Sequence, residues 1–189
     1  PYIPPHEWNI DFPHLMLRAK AVKFQQGETK FRDKLLTSTD TLGKLAGIPV
    51  VVEAVNTLNH NATFRKGLEK VLGVHPDAIV PSYHSKTGRK RVAKQKSLEP
   101  AQAEPTARTT GKVAIFATCY GNYNEPHLLE DLCKIFEHNQ IPVKLLDKEQ
   151  CCGMPKSEVG DLESVAAAKQ ANIPAMLKLI NEGWDIVAP

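Results

Sequence analysis

No stretch of this sequence approaches the roughly 18 consecutive apolar residues that a membrane-spanning helix needs, so no segment is expected to be transmembrane. A secretory leader is missing too: Pro1-Tyr2-Ile3-Pro4-Pro5 has neither a basic n-region nor an apolar h-region. Cysteine is scarce, with four residues in 189 and none before Cys119. A secreted disulfide scaffold would be shorter and richer in cysteine, and neighbours such as Cys151 and Cys152 seldom bond to each other. A reduced, cytoplasmic setting follows, with thiols kept for metal or redox work. The seven histidines, His6, His14, His60, His75, His84, His127 and His138, show no metal-ligand spacing. Tyr120-Gly121-Asn122-Tyr123-Asn124 contains a glycine but neither a phosphate-loop nor a dinucleotide fingerprint, which excludes a nucleotide assignment. An initiator methionine is also lacking, and the last residues stop inside a strand-like pattern, so both ends read as cuts within a longer protein.

With 42% hydrophobic and 24% charged residues, the composition is that of a globular protein rather than a disordered one, and three segments separate along it. Residues 1–75 are helical in pattern. Leu15, Leu17, Ala19, Ala21, Val22 and Phe24 supply one apolar stretch before Gly27, and Gly43 and Gly47 break the next. Between Ile48 and Leu58 the run Val50-Val51-Val52 favours a strand locally. Ala54, Val55 and Leu58 continue at helical spacing, and the reading is helix. Asn61 or Thr63 caps a last helix through Phe64, Leu68, Val71 and Leu72.

Residues 76–111 read as a flexible basic linker. They carry Lys86, Arg89, Lys90, Arg91, Lys94 and Lys96, then Glu99-Pro100-Ala101-Gln102-Ala103-Glu104-Pro105, with no periodic apolar face. Such a stretch buries too little surface to offset chain entropy. Only Tyr83 offers an aromatic near the basic run and no nucleic-acid-binding fold accompanies it, so nucleic acid is not an expected partner. An acidic partner protein or acidic membrane headgroups suit the charge better.

Residues 112–189 alternate between strand and helix. Lys112 to Thr118 is a buried strand, and Glu125 to Asn139 a helix with Leu128, Leu129, Leu132 and Ile135 inward. Val143 to Leu146 is a second strand, Asp161 to Asn181 a helical stretch kinked or divided by Pro174, and Trp184 to Ala188 a third strand. This βαβαβ order predicts an α/β half-domain with a short parallel sheet and right-handed crossovers. Ligands of such sheets gather at the carboxyl ends of the strands. Cys119 follows the first strand, and Cys151-Cys152 follow the second.

Thirty-one residues, positions 120–150, separate Cys119 from Cys151, and Gly153 comes directly after the pair. Thiolates are soft ligands suited to iron–sulfur clusters, and Gly153 permits the tight turn that would bring two neighbouring thiolates towards one centre. Zinc sites favour close pairs with two to four intervening residues, a spacing not found here. A scaffold domain with structural or zinc-holding cysteines and a metal-free thiol oxidoreductase are the competing readings. Cys133 lies mid-helix and reads as a small buried hydrophobe.

The runs Ala117-Thr118-Cys119-Tyr120-Gly121-Asn122 and Gln150-Cys151-Cys152-Gly153-Met154-Pro155 resemble the CCG cysteine-rich domain. That domain occurs in heterodisulfide reductase catalytic subunits and in the C subunit of anaerobic glycerol-3-phosphate dehydrogenases. The resemblance spans residues 112–189. It implies that Cys119, Cys151 and Cys152 are thiolate ligands of a [4Fe–4S] cluster in an electron-transfer subunit, with further ligands beyond Pro189 and one CCG copy, incomplete, in this chain. Pro1-Tyr2-Ile3-Pro4-Pro5-His6 resembles the run that follows the last cysteine of an upstream ferredoxin-like module, which makes residues 1–75 a bridge between the two. The resemblance also implies an oxidoreductase that works with a flavoprotein or other redox subunit. Either a quinone or a membrane-surface partner fits a protein peripheral to the inner face of the membrane.

Overall fold

The computed structural model describes residues 11–93 and 104–189. The start of the chain and the middle of the expected linker, including Lys94 and Lys96, lie outside the described residues.

Five helices precede the sheet: α1 (Phe12–Gln25), α2 (Phe31–Leu36), α3 (Thr39–Ala46), α4 (Pro49–Asn59) and α5 (Ala62–Leu72). Their ends follow local chemistry. The Asp11 side chain accepts from the His14 N–H at the start of α1, and Asn61 accepts from the Phe64 N–H at the start of α5. Pro49 opens α4, where its missing N–H costs nothing, so the valine run that favours a strand locally is helical here.

A parallel three-stranded sheet follows in the order β2-β1-β3, from β1 (Val113–Ile115), β2 (Val143–Leu145) and β3 (Asp185–Val187). The protein is thus a mixed α/β structure, as expected, although each strand is only three residues long. Around it lie α7 (Cys119–Tyr123), α8 (Pro126–His138), α9 (Met154–Val159) and α10 (Leu162–Asn181). Alternation along β1 divides the core into two layers. Ala114 and Phe116 pack with Leu146 and Leu179 beneath α10, while Ile115 and Ala117 pack with Leu129 and Cys133 of α8.

Three expectations need correction. On α8, Leu129 is fully buried, but Leu128 is 40% and Ile135 58% exposed, so the inward stripe is Leu129, Leu132, Cys133 and Phe136. Pro174 does not divide the last helix: α10 runs unbroken over 20 residues. The ring sits on an exposed face, where water can satisfy the carbonyl that a prolyl nitrogen leaves without a donor. The third correction concerns the basic segment, part of which packs against the sheet domain. A helix, α6 (Gly88–Val92), lies against α8, and a Cβ on Gly88 would meet Leu129 Cδ1 at 2.5 Å. Its cations are held within the chain: Arg89 pairs with Glu149, Arg91 with Glu130, and Lys90 donates to the Ser85 carbonyl. The absence of an apolar period hid this, because the helix is anchored by charge pairs and one close glycine contact rather than by an apolar face.

The strap leading into α6 is pinned from the N-terminal helices. Arg65, buried on α5, donates to the carbonyls of His75, Pro76 and Ala78. Asn56 of α4 exchanges two 2.9 Å hydrogen bonds with the backbone of Tyr83, and the His84 N–H reaches the Tyr123 carbonyl. Among the described residues no single helix is long and apolar enough to cross a membrane.

Candidate metal centre

The strand ends place two cysteines side by side. Cys119 is the first residue of α7, just beyond the carboxyl end of β1. Thr118, its predecessor, has φ 56° and ψ 155°, a conformation rarely adopted by a β-branched residue. Its hydroxyl accepts from the Gly121 N–H at 3.1 Å, which helps to hold this turn. Cys151 follows β2, the strand that neighbours β1 in the sheet. The two sulfurs lie 4.0 Å apart, both half-buried.

Gly153 has φ +88°, the left-handed conformation that the tight turn after Cys151-Cys152 requires. The turn does not carry Cys152 to the same point, however. Cys152 is exposed and lines a second, apolar pocket of about 360 Å³ with Phe116, Ile173, Met176 and Val187. Among the described residues no group of three or more His, Cys, Asp or Glu side chains is arranged to hold a metal ion. The structure therefore brings together two of the three cysteines singled out from the sequence. The other expectations hold their places: Cys133 is 1% exposed in the core, and His127 is exposed at a helix start beside Glu125.

The environment of the pair favours one thiolate. A hydrogen bond from the Cys119 thiol pulls the Cys151 pKa down to about 5, overcoming burial, with help from the Gly153 N–H. The same bond, together with burial, pushes Cys119 far above the ordinary thiol range. The Thr39 hydroxyl lies 3.3 Å from Cys119 Sγ and 4.0 Å from Cys151 Sγ. A pocket of about 260 Å³ opens beside Cys151 and is lined by Thr39, Asp40, Gln150, Lys156 and Ser164 among others.

Three residues missed from the sequence position these loops. Glu149 accepts from the Ala117 N–H at 2.9 Å and pairs with Arg89 at 3.0 Å, which joins the end of β1 to the residue two before Cys151. Burial raises the Glu149 pKa, while the Ala117 N–H and Arg89 oppose the rise. Asn172, buried on α10, accepts from the Gln150 N–H at 2.8 Å and donates to the Gln150 and Cys151 carbonyls at 3.3 and 3.2 Å. A signal for Asn172 existed, since it is a lone amide on the inward stripe of Ala168, Ala175, Met176 and Leu179. Thr39 has no such signal, being 80 residues from Cys119 in a segment with no cysteine.

Comparison with known proteins places these observations in context. Residues 113–188 match the CCG family, the cysteine-rich domain. The whole chain is similar to the C subunit of the anaerobic glycerol-3-phosphate dehydrogenase of Escherichia coli strain K12, with 27% identity over 181 residues. That alignment covers 95% of this chain and 43% of the relative, and the Escherichia coli O157:H7 protein matches to the same extent. The chain thus spans less than half the length of these curated relatives. No solved structure matches it.

Proposed function

We propose that this chain is the cysteine-rich part of an iron–sulfur electron-transfer subunit of an oxidoreductase, with Cys119, Cys151 and Cys152 supplying thiolates to a [4Fe–4S] cluster. The observation that carries the reading is the 4.0 Å approach of Cys119 and Cys151 at the carboxyl ends of neighbouring parallel strands. The donor chemistry fits. Soft thiols converge where α/β sheets collect ligands, and Cys151 is poised to give up its proton. Such a cluster takes four protein ligands, so the converging pair supplies two. Cys152 turns in from the neighbouring pocket to supply a third, and further ligation comes from outside these residues. When bound, the cluster accepts and releases single electrons.

The chain's own residues would hold and shield the site. Glu149 and Arg89 fix the two loops against each other, Asn172 fixes the Gln150–Cys151 backbone, and α3 covers the pair with Thr39. The relatives' name suggests a two-electron donor of the glycerol 3-phosphate type, oxidised on a flavoprotein subunit that passes electrons to this one. A heterodisulfide or a quinone is an alternative acceptor or donor. This places the protein in the cytoplasm, at the inner face of the membrane. The N-terminal helices serve as the bridge from an upstream ferredoxin-like module.

Iron and acid-labile sulfide, measured with low-temperature EPR on protein purified without oxygen, test this reading alongside Cys151→Ser and Cys152→Ser. Clusters in the parent and loss of one signal in the variants support it. Equal iron in all three, or none, sinks it. A second reading gains support from the same geometry: a metal-free dithiol in which Cys151 is the reactive thiolate and Cys119 its partner. Colourless protein whose Cys151 is alkylated rapidly at neutral pH would favour that alternative over both the cluster and a zinc scaffold.

A further inference from the structure

We propose that Thr39 is a positioning residue of the cysteine site, its hydroxyl donating to the Cys119 and Cys151 sulfurs and raising the reduction potential of the cluster they ligate. The inference rests on the iron–sulfur reading above and extends the site beyond the cysteine-rich domain into the N-terminal helices. Nothing in the spacing of the cysteines requires a residue from that segment.

The geometry has three parts. Thr39 Oγ1 lies 3.3 Å from Cys119 Sγ and 4.0 Å from Cys151 Sγ, and these sulfurs are its hydrogen-bond partners among the described residues. With thiols present, either atom can donate. A metal-bound thiolate has no proton, so the hydroxyl becomes the donor to both sulfurs. Second, the start of α3 is held in place from two sides. Lys156 of α9 donates to Ser38 Oγ at 3.0 Å, which ties the residue before Thr39 to the helix after the Cys-Cys-Gly turn. One turn further on, Gly43 packs so closely on the Tyr123 ring of α7 that a Cβ there would meet Cδ2 at 2.3 Å. Third, the neighbouring charge is neutralised, because Asp40 pairs with Lys44 at 2.7 Å.

The electronic consequence follows from charge. A donor to a ligand sulfur withdraws electron density from it. That favours the reduced cluster, which carries one more negative charge, over the oxidised one. Removing the donor lowers the potential and leaves ligand number unchanged.

The test is an EPR-monitored redox titration of the holoprotein, with iron content measured in parallel, on the parent, Thr39→Val and Thr39→Ser. Valine keeps the shape of threonine and loses the hydroxyl, whereas serine keeps the hydroxyl. The expected result is parent-like iron in both variants and a parent-like midpoint in Thr39→Ser. In Thr39→Val the ratio of reduced to oxidised cluster at fixed ambient potential should fall about tenfold, about 59 mV for one electron. If Thr39→Val does not fold, the Ser–Ala pair at position 39 isolates the hydroxyl in the same titration, and the alanine variant should show the fall. Clusters with one common midpoint in all variants would overturn the proposal and leave the iron–sulfur reading standing. A parent without iron would overturn both.

Discussion

The Arg89 guanidinium lies 3.0 Å from the Glu149 carboxylate and 2.8 Å from the Leu146 carbonyl, so one side chain from the basic segment closes the end of β2. Glu149 in turn receives the Ala117 N–H at the end of β1. The pair therefore links both cysteine loops to a helix that a composition-based reading would leave in solvent. Glu149 has 9% of its side chain exposed and Arg89 31%, so much of the interaction is shielded from water.

Breaking this link should loosen the site. Glu149→Ala leaves the Ala117 N–H and the Arg89 guanidinium without their partner, and the expected loss of stability is roughly 1–3 kcal/mol. Glu149→Gln keeps an acceptor for Ala117 and should lose less. Urea unfolding of both variants checks the order. Equal midpoints for the two would mean that the Ala117 hydrogen bond contributes nothing.

Asn172 makes a sharper case, because its one amide satisfies three backbone groups of Gln150 and Cys151. Asn172→Leu fills the space but strands those groups at a buried position. Destabilisation by about 1–3 kcal/mol is expected. Amide exchange should show faster protons at Gln150, with β1 unchanged. Uniform acceleration across the sheet would show instead that Asn172 acts on the whole domain.

Much of this arrangement was legible in the sequence, and the remainder was hidden for physical reasons. The strands, the parallel order and the positions of Cys119 and Cys151 at strand ends follow from local hydrophobic patterning, which survives folding because it reports burial. The placement of Cys152 does not follow from patterning. Adjacent residues share a turn, and which of them faces a given point depends on backbone angles such as the +88° φ of Gly153. The role of α6 was hidden because Arg89 and Arg91 act through partners 60 and 39 residues away, Glu149 and Glu130. Thr39 was hidden for the same reason: nothing local marks a hydroxyl whose partners are distant sulfurs.

Cys133 leads to a prediction about pH. Burial in the layer beneath β1, with Glu137 nearby, pushes its pKa from 9.0 up to about 11. A thiol whose folded pKa is raised favours folding while it is neutral. Its contribution is complete below about pH 9 and is lost as pH rises towards 11. Cys133→Ala should flatten the fall in stability across that window, at the expense of a small cavity at lower pH. Denaturant midpoints between pH 8 and 11 measure it, and parallel slopes for parent and variant would show that other groups dominate. At neutral pH Cys133 should also resist alkylation until the protein unfolds, while Cys151 reacts in the metal-free form.

Gly160 tests whether the N-terminal helices and the cysteine-rich domain behave as one structure. It ends α9 with φ +84°, and a Cβ there would lie 2.5 Å from the backbone of Lys20 and Ala21 on α1. Backbone cannot yield as a flexible side chain can. Gly160→Ala therefore carries both the left-handed strain, about 1–2 kcal/mol, and a clash relieved only by moving α1 away. The nearby Lys20–Glu158 ion pair, 2.9 Å long but about half exposed, is too weak to hold the helix against that clash. The variant should release α1, making it sensitive to limited proteolysis while the sheet keeps its amide protection. If α1 instead stays as protected as in the parent, the docking of α1 on α9 does not depend on this close approach. If the sheet loses protection together with α1, the helices are an integral part of the domain's stability rather than an appended cover.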